Sequence, residues 1–455
     1  MSQQNIIPKG PKGYPYLGSL LNFASPNRLA WLSDLKDKHG DVFKFTLLQE
    51  EYYLINHPDY VKEIMTSKMA QYSKDTGGFH TIKKVLGESV FTSMGDVWKR
   101  KRALAQPQFH KKKINNLSSI MTDTTEEMLE RWEKKYQAKQ AIDIKIEMME
   151  ITLGVVTKAL FSTGLSKEEF QTVVDVFTPI LLETNRRALY PFKFMRYFKP
   201  KQNQAYKDNI DTLDQIIFGI IEKRKTSSEE YTDLLQMFMD AKEEGTGEPL
   251  TDVELRDEIM TVFIAGHETT ANALSWLWIV LAQQPAIRIK VEQEVAEVLG
   301  DRIPQVMDFP KLTYTLNVFK EILRLYPPVP MIPRKVEKDD HLGPFFIKAN
   351  GTVFISPYFL HRHPDFWENP EEFDPSRFEK NTEKRQHPFA YLPFGGGPRI
   401  CVGINFAYME AVFIIAMVVQ RFRLALPPNN KDIEAVFELT YRPKGEVNMH
   451  LIHRV

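Results

Sequence analysis

The chain has 455 residues, of which 43% are hydrophobic, 12% aromatic and 26% charged, and its formal net charge is +0. This composition describes a folded chain with a large core and excludes a disordered one, while the absence of net charge excludes a global attraction to nucleic acid or to an anionic membrane surface. A single cysteine excludes an internal disulfide framework and multi-cysteine zinc sites, and it fits a reducing cytoplasm.

Met1 to Ile7 is polar and lacks the pattern of a secretory signal. Pro8-Lys9-Gly10-Pro11-Lys12-Gly13-Tyr14-Pro15 forbids helix and predicts an ordered extended arm. A helical pattern follows at Asn27 to His39, then an antiparallel pair at Val42 to Phe45 and Tyr52 to Ile55. Helical spacing recurs through Asn115 to Tyr136, Ile142 to Leu160, Asn209 to Lys225, Leu234 to Glu243, Thr251 to Gln284 and Phe309 to Tyr326. Thr251 and Glu254 form a capping box, and Pro285 stops that long helix. After Pro327 the chain is proline-rich, with a strand at Thr352 to Ile355 and a last helix at about Gly403 to Arg421. The longest apolar runs, Leu274 to Ala282 and Ala411 to Val419, are about half of the roughly 20 residues a membrane helix needs, so no transmembrane anchor is expected. The charged loops Lys223 to Glu230 and Glu243 to Pro249 are too short to separate domains. The expectation is one mainly α domain with a minor β portion, spanning residues 1–455 and located in the cytoplasm.

Phe394-Gly395-Gly396-Gly397-Pro398-Arg399-Ile400-Cys401-Val402-Gly403 delivers the one cysteine to the start of a helix. There, free backbone N–H groups and the helix dipole are expected to lower its pKa and restrain it as a metal ligand. An arbitrary lone cysteine is more often a small buried hydrophobe. This one stands in the pattern FxxGxRxCxG, matched at Phe394, Gly397, Arg399, Cys401 and Gly403, and the segment resembles the haem-binding loop of the cytochrome P-450 family. The resemblance implies haem b (iron protoporphyrin IX) held between the long central helix and the cysteine-loop helix, with Cys401 as axial ligand and Arg399 toward a propionate.

Other segments carry the same resemblance in the same order. Glu321 and Arg324 on one helix face, with Arg377, are similar to the family's buried Glu-Arg-Arg network that braces the cysteine loop, although Ser376 stands where the family often has Glu. Trp98 and Arg102, in a WxxxR arrangement, and Arg334 are implied to reach haem propionates. Ala265-Gly266-His267-Glu268-Thr269-Thr270 resembles the oxygen-activation segment, with Glu268 and Thr269 as its acid-alcohol pair, Gly266 beside bound oxygen and Ala265 lining the pocket. His267 invites a metal-ligand reading, which is the minor one because a cysteine already ligates the iron. Gly87-Glu88-Ser89-Val90-Phe91-Thr92-Ser93 resembles the substrate-contacting loop of bacterial fatty-acid hydroxylases, which implies Phe91 over the haem.

The function implied is a monooxygenase that inserts one oxygen atom of O2 into a hydrophobic small molecule. Electrons would come indirectly from NAD(P)H through a separate ferredoxin or flavodoxin type partner with its reductase. No dinucleotide fingerprint follows a strand and the chain ends at Val455, so no fused reductase is expected. Lys99, Arg100 and Lys101, with Lys111 to Lys113 nearby, are a candidate docking face for that acidic carrier, a solvated basic face being an equal reading. Glu50 and Glu51 stand where the fatty-acid hydroxylases hold a carboxylate with a cation. Arg324-Leu325-Tyr326-Pro327-Pro328 and Ser356-Pro357-Tyr358 are similar to a bacterial carotenoid hydroxylase. A neutral lipid, terpenoid or carotenoid is therefore the expected substrate, with a fatty acid as the alternative. A peroxygenase, an isomerase or a non-catalytic haem sensor on the same fold are rival functions.

Overall fold

The computed structural model describes residues 6–162, 167–189, 200–380, 387–428 and 432–454. Two long buried helices organise it. The central helix, Asp252–Gln283, runs 32 residues, about 48 Å at 1.5 Å per residue. Its start is fixed by the expected capping box, in which Thr251 Oγ1 accepts the Glu254 N–H and the Glu254 carboxylate accepts the Thr251 N–H. Its second half, from Ala271 to Leu281, is buried on every side, the mark of a helix through the middle of a core. Helix Ile144–Phe161 packs along it, and helix Ile404–Arg421, which follows the cysteine loop, lies against it and against Ser118–Gln137. Ile404–Arg421 has the length and hydropathy of a membrane span, but 67% of it is buried inside the protein.

Three expected helices are trimmed. The helix expected at Asn115 to Tyr136 begins at Ser118, as Ser118–Gln137, after a separate short piece, Lys111–Asn115. Phe309 to Tyr326 resolves into a short turn and Thr313–Leu325. The helix expected from Leu234 ends at Met239, with an isolated bridge between Lys242 and Pro249 beyond it. Pro200–Thr226 starts earlier than expected. Helices Pro58–Met65, Gly77–Leu86, Lys167–Leu189 and Pro285–Leu299 were not anticipated. Two of these open with proline at the first helical position, where its missing N–H costs nothing, and Lys167–Leu189 carries Pro179 in its interior.

Among the described residues the β portion is divided among four small sheets. Val42–Leu47 and Glu50–Ile55 form the expected antiparallel pair, with Phe45 opposite Tyr52. Thr352–Ile355 adds in parallel to Glu50–Ile55, and Ile332–Val336 and Tyr72–Ser73 complete a five-stranded sheet. The N-terminal arm is ordered against it, with the Lys44 N–H donating to the Lys9 carbonyl at 2.9 Å. A hairpin of Ala435–Phe437 and Tyr441–Pro443 lies on the central helix.

Candidate active site

The cysteine loop is held by its backbone. Gly397 has φ +66, and a Cβ there would fall 2.1 Å from the Met65 carbonyl oxygen, so only glycine fits. The Cys401 N–H donates to the Phe394 carbonyl at 3.0 Å, and Arg102 Nη1 donates to the Ile400 carbonyl at 2.6 Å. The Phe394 ring packs edge-on against Tyr408 at 5.1 Å. Cys401 stands two residues before the N-cap Gly403, whose N–H donates to its sulfur at 3.3 Å. The thiol is exposed, yet it opens onto an interior face closely surrounded by protein. That burial pushes its pKa up, opposed by the Gly403 N–H and the Arg102 charge. The expected lowering is therefore absent from the polypeptide alone: Cys401 stands outside the helix, beyond the reach of most of its free N–H groups. A bound cation is what deprotonates such a thiol.

Behind the loop, Glu321 and Arg324 are fully buried and paired through two bonds of 2.7 and 2.8 Å. Arg324 also donates to the carbonyls of His361, Pro370 and Glu372. Arg377 Nε lies 3.4 Å from Glu321 Oε1, and the Asp374 N–H donates to the same oxygen at 2.8 Å. Every strong donor and acceptor of this pair is thus used, the condition under which buried charges are tolerated. His361 was not foreseen. Its Nε2 accepts the Leu392 N–H at 2.7 Å, so Nδ1 carries the hydrogen and donates to the Arg324 carbonyl at 3.0 Å. This neutral imidazole, its pKa held at about 3 by burial, couples the network to the strand of chain entering Phe394.

Three cations gather on the other side of the loop. Arg399 lies over the buried Trp98 ring at 4.2 Å and donates to the Ser93 carbonyl at 3.1 Å. Among the described residues Arg334 donates only to its neighbour's carbonyl, Pro333. Lys74, unanticipated from the sequence, donates to the Phe91 carbonyl at 2.6 Å. Burial first, and then repulsion, lowers all three: Lys74, repelled by Arg334 and Arg399, well below the usual lysine range, Arg334, repelled by Arg399, to about 10, and Arg399, repelled by Arg102, to about 10. Among the described residues none of the three has a carboxylate within ion-pair distance. A partly buried cluster of positive charge without a carboxylate partner favours an anion, and the two propionates of a haem beside an accessible thiol fit it. Arg102 is placed differently, donating to Gln106 and to the Ile400 carbonyl and lying beside Cys401.

On the central helix, Ala265 is exposed, with Ile264, Gly266 and Thr269 partly exposed beside it. The Thr269 hydroxyl donates to the Ala265 carbonyl at 2.9 Å, diverting a backbone acceptor on that face. A Cβ on Gly266 would meet Val156 Cγ2 at 3.1 Å, so the missing side chain serves the close approach of helix Ile144–Phe161. Glu268 points elsewhere: its Oε1 accepts from Thr440 Oγ1 at 2.8 Å, and burial raises its pKa against the pull of Thr440 and Arg442. The acid and alcohol do not touch. His267 is buried edge-on to Phe177 at 5.2 Å and neutral, its pKa lowered by burial to about 4. Among the described residues no cluster of three potential ligands surrounds it. Thr270 lies against the buried Glu410 of the cysteine helix, whose carboxyl burial pushes well above the usual range.

The basic run changes character. Arg100 pairs with Glu243 and Glu254, and Lys101 is buried beside Glu254 and Glu258. Lys101 is out of a partner's reach and Arg100 is already paired, so the cations left on the expected face are Lys99, itself bonded to Asp96, with Lys111 and Lys112. Glu51 accepts from Lys44 and Tyr53, while Glu50 accepts from Tyr52 and stays exposed.

The profile described as Cytochrome P450 matches residues 8–446. The chain is similar to the cyclooctatin synthase of Streptomyces melanosporofaciens, 33% identical over 424 residues that cover 92% of this chain and 90% of that one. It is similar also to the cyclooctat-9-en-7-ol 5-monooxygenase of the same organism, 31% identical over 391 residues covering 86% and 84%. The solved cytochrome P450DA heme domain shares the fold, with a TM-score of 0.90 over 99% of this chain and 98% of that chain at 24% identity. With the profile spanning nearly the whole sequence and relatives matching over most of their length, the chain belongs to the cytochrome P450 family of haem-iron monooxygenases.

Proposed function

We propose that this enzyme oxygenates a long, largely uncharged lipid or terpenoid, with Cys401 as the axial ligand of haem b. Haem held at this thiolate would supply the reductive activation of O2 that no side chain can perform. Arg334, Arg399 and Lys74 would hold its propionates, Trp98 backing Arg399, and the Glu321-Arg324-Arg377 network with His361 would keep the cysteine loop rigid. Thr269 would present its hydroxyl on the open face beside Ala265, and Glu268 would hold a proton for it from the Thr440 side. Electrons would arrive from NAD(P)H through a ferredoxin or flavodoxin type carrier docking near Lys99, Lys111 and Lys112.

The observation that carries the substrate class is the first strand pair. Glu50 offers an exposed carboxylate, and Lys44, the nearby cation, is already paired with Glu51 at 2.9 Å. A second cation, the exposed Lys348, also acts on Glu51, so both cations beside the pair face an acid already present, and the like charge of Glu50 repels a fatty-acid carboxylate. The similarity to a monooxygenase named for the neutral alcohol cyclooctat-9-en-7-ol favours the same class. The test uses the holoenzyme with a surrogate redox pair and matched ligands, farnesol against farnesoic acid and dodecanol against dodecanoic acid. The alcohols should shift the haem spin state at lower concentration and be oxidised in step with NADPH consumption; tighter binding of both acids would overturn the neutral-substrate reading. Product formation without a redox partner would favour a peroxygenase.

A further inference from the structure

Asp257 and Glu258 are adjacent, almost fully buried acids on the central helix, about 12 Å ahead of Gly266 at 1.5 Å per residue. Asp257 accepts from its helix neighbour Arg256 at 3.0 Å, and both acids also reach off the helix. The Glu88 N–H donates to Asp257 Oδ2 at 2.7 Å, and the Val90 N–H donates to both Glu258 oxygens, at 2.8 and 3.1 Å. Gly87, at φ +59, lies so close that a Cβ would stand 2.0 Å from Asp257 Oδ1. The loop between is a closed turn, with Thr92 Oγ1 donating to the Gly87 carbonyl at 2.7 Å and accepting the Ser89 N–H at 2.8 Å.

The far half of this loop is held from the opposite side. Lys74 donates to the Phe91 carbonyl and sits over the Phe91 ring at 4.2 Å, and Arg399 donates to the Ser93 carbonyl. Phe91 thus lies between residues tied to the central helix and residues tied to the cation cluster, and as a residue it is 42% exposed. Glu258 is a costly anchor. Among the described residues its one close cation, the buried Lys101, stands 3.7 Å away, and burial pushes its pKa to about 7. A buried carboxylate without a bidentate partner brings little net stability, whereas it fixes the height of one peptide bond with two short bonds.

We propose that Glu258 is a specificity-determining positioning residue: by accepting the Val90 N–H it sets the Phe91 ring over the haem, in fixed register with Ala265 and Thr269. This rests on the reading of Phe91 as a pocket residue.

The test measures binding of imidazole and 4-phenylimidazole to the ferric holoprotein by the spectral shift on nitrogen ligation, and takes the ratio of the two Kd values. Phe91→Ala should favour the phenyl ligand by about tenfold. Glu258→Leu should move the ratio in the same direction and add nothing to Phe91→Ala. Glu258→Gln, which keeps an acceptor oxygen, should stay near wild type, and Glu258→Asp should fall between. An unchanged ratio in Glu258→Leu, or full additivity with Phe91→Ala, overturns the proposal. If Glu258→Leu yields no haem-loaded protein, an unchanged ratio in Glu258→Asp does so. An unchanged ratio in Phe91→Ala shows that the pocket placement of Phe91 is what fails, and the proposal falls with it; the monooxygenase reading is tested separately by NADPH coupling.

Discussion

Thr440 Oγ1 donates to Glu268 Oε1 at 2.8 Å, so the acid of the central helix is joined to the Tyr441–Pro443 hairpin rather than to its neighbour Thr269. Consecutive helix positions point about 100° apart, and here one faces the site while the other faces the hairpin. Beyond Thr440, Arg442 pairs with the half-exposed Glu438 at 3.0 Å, which leads from Glu268 toward solvent.

Proton delivery should therefore depend on three residues. Losing a proton-handling group costs on the order of 10²-fold, and a residue acting one bond away roughly tenfold. Thr269→Ala and Glu268→Gln should retain haem and substrate binding while diverting reducing equivalents to peroxide. Thr440→Val should show a milder version, restored by Thr440→Ser. The ratio of product to NADPH consumed checks this; unchanged coupling in Thr440→Val would remove the hairpin from the path.

Arg324→Leu should cost about 3–5 kcal/mol, because it leaves the fully buried Glu321 without its partner. Haem-loaded yield and urea midpoint should both fall. Arg377→Lys, at a site 9% exposed, should cost less.

His267 contributes a pH dependence of definite sign. Its pKa is depressed from 6.5 to about 4, so the unfolded chain binds a proton that the native protein refuses. The stability it contributes is present above pH 6.5 and lost as pH falls toward about 4. His267→Phe should flatten that decline in denaturant melts and leave the haem spectrum intact; loss of iron in the variant would revive the ligand reading.

Glu50→Arg should tighten fatty acids without tightening the matching alcohols. Spin-state titrations at low and high salt check it, since an exposed charge is screened.

The parts of the site that were legible in the sequence are those held in one short segment. Phe394 to Gly403 and Ala265 to Thr270 carry their spacing within a few residues, and the capping box Thr251 with Glu254 announced the central helix. Lys74, His361 and Thr440 were illegible because each acts on a residue outside its own short segment, and nothing in Tyr72-Ser73-Lys74-Asp75 marks a partly buried cation without a carboxylate partner. Arg100 and Lys101 were misread for the same reason: a run of cations looks solvated until the fold brings Glu243, Glu254 and Glu258 to it. The helix Lys167–Leu189 was hidden by Pro179, a breaker that packing overrode.

The central claim is that Cys401 ligates the haem iron. Its most direct test is the spectrum of the reduced protein under carbon monoxide, in wild type and in Cys401→His. Wild type should show the red-shifted Soret band of a thiolate complex and the variant should lose it; a Cys401→His protein that kept the band would contradict the account.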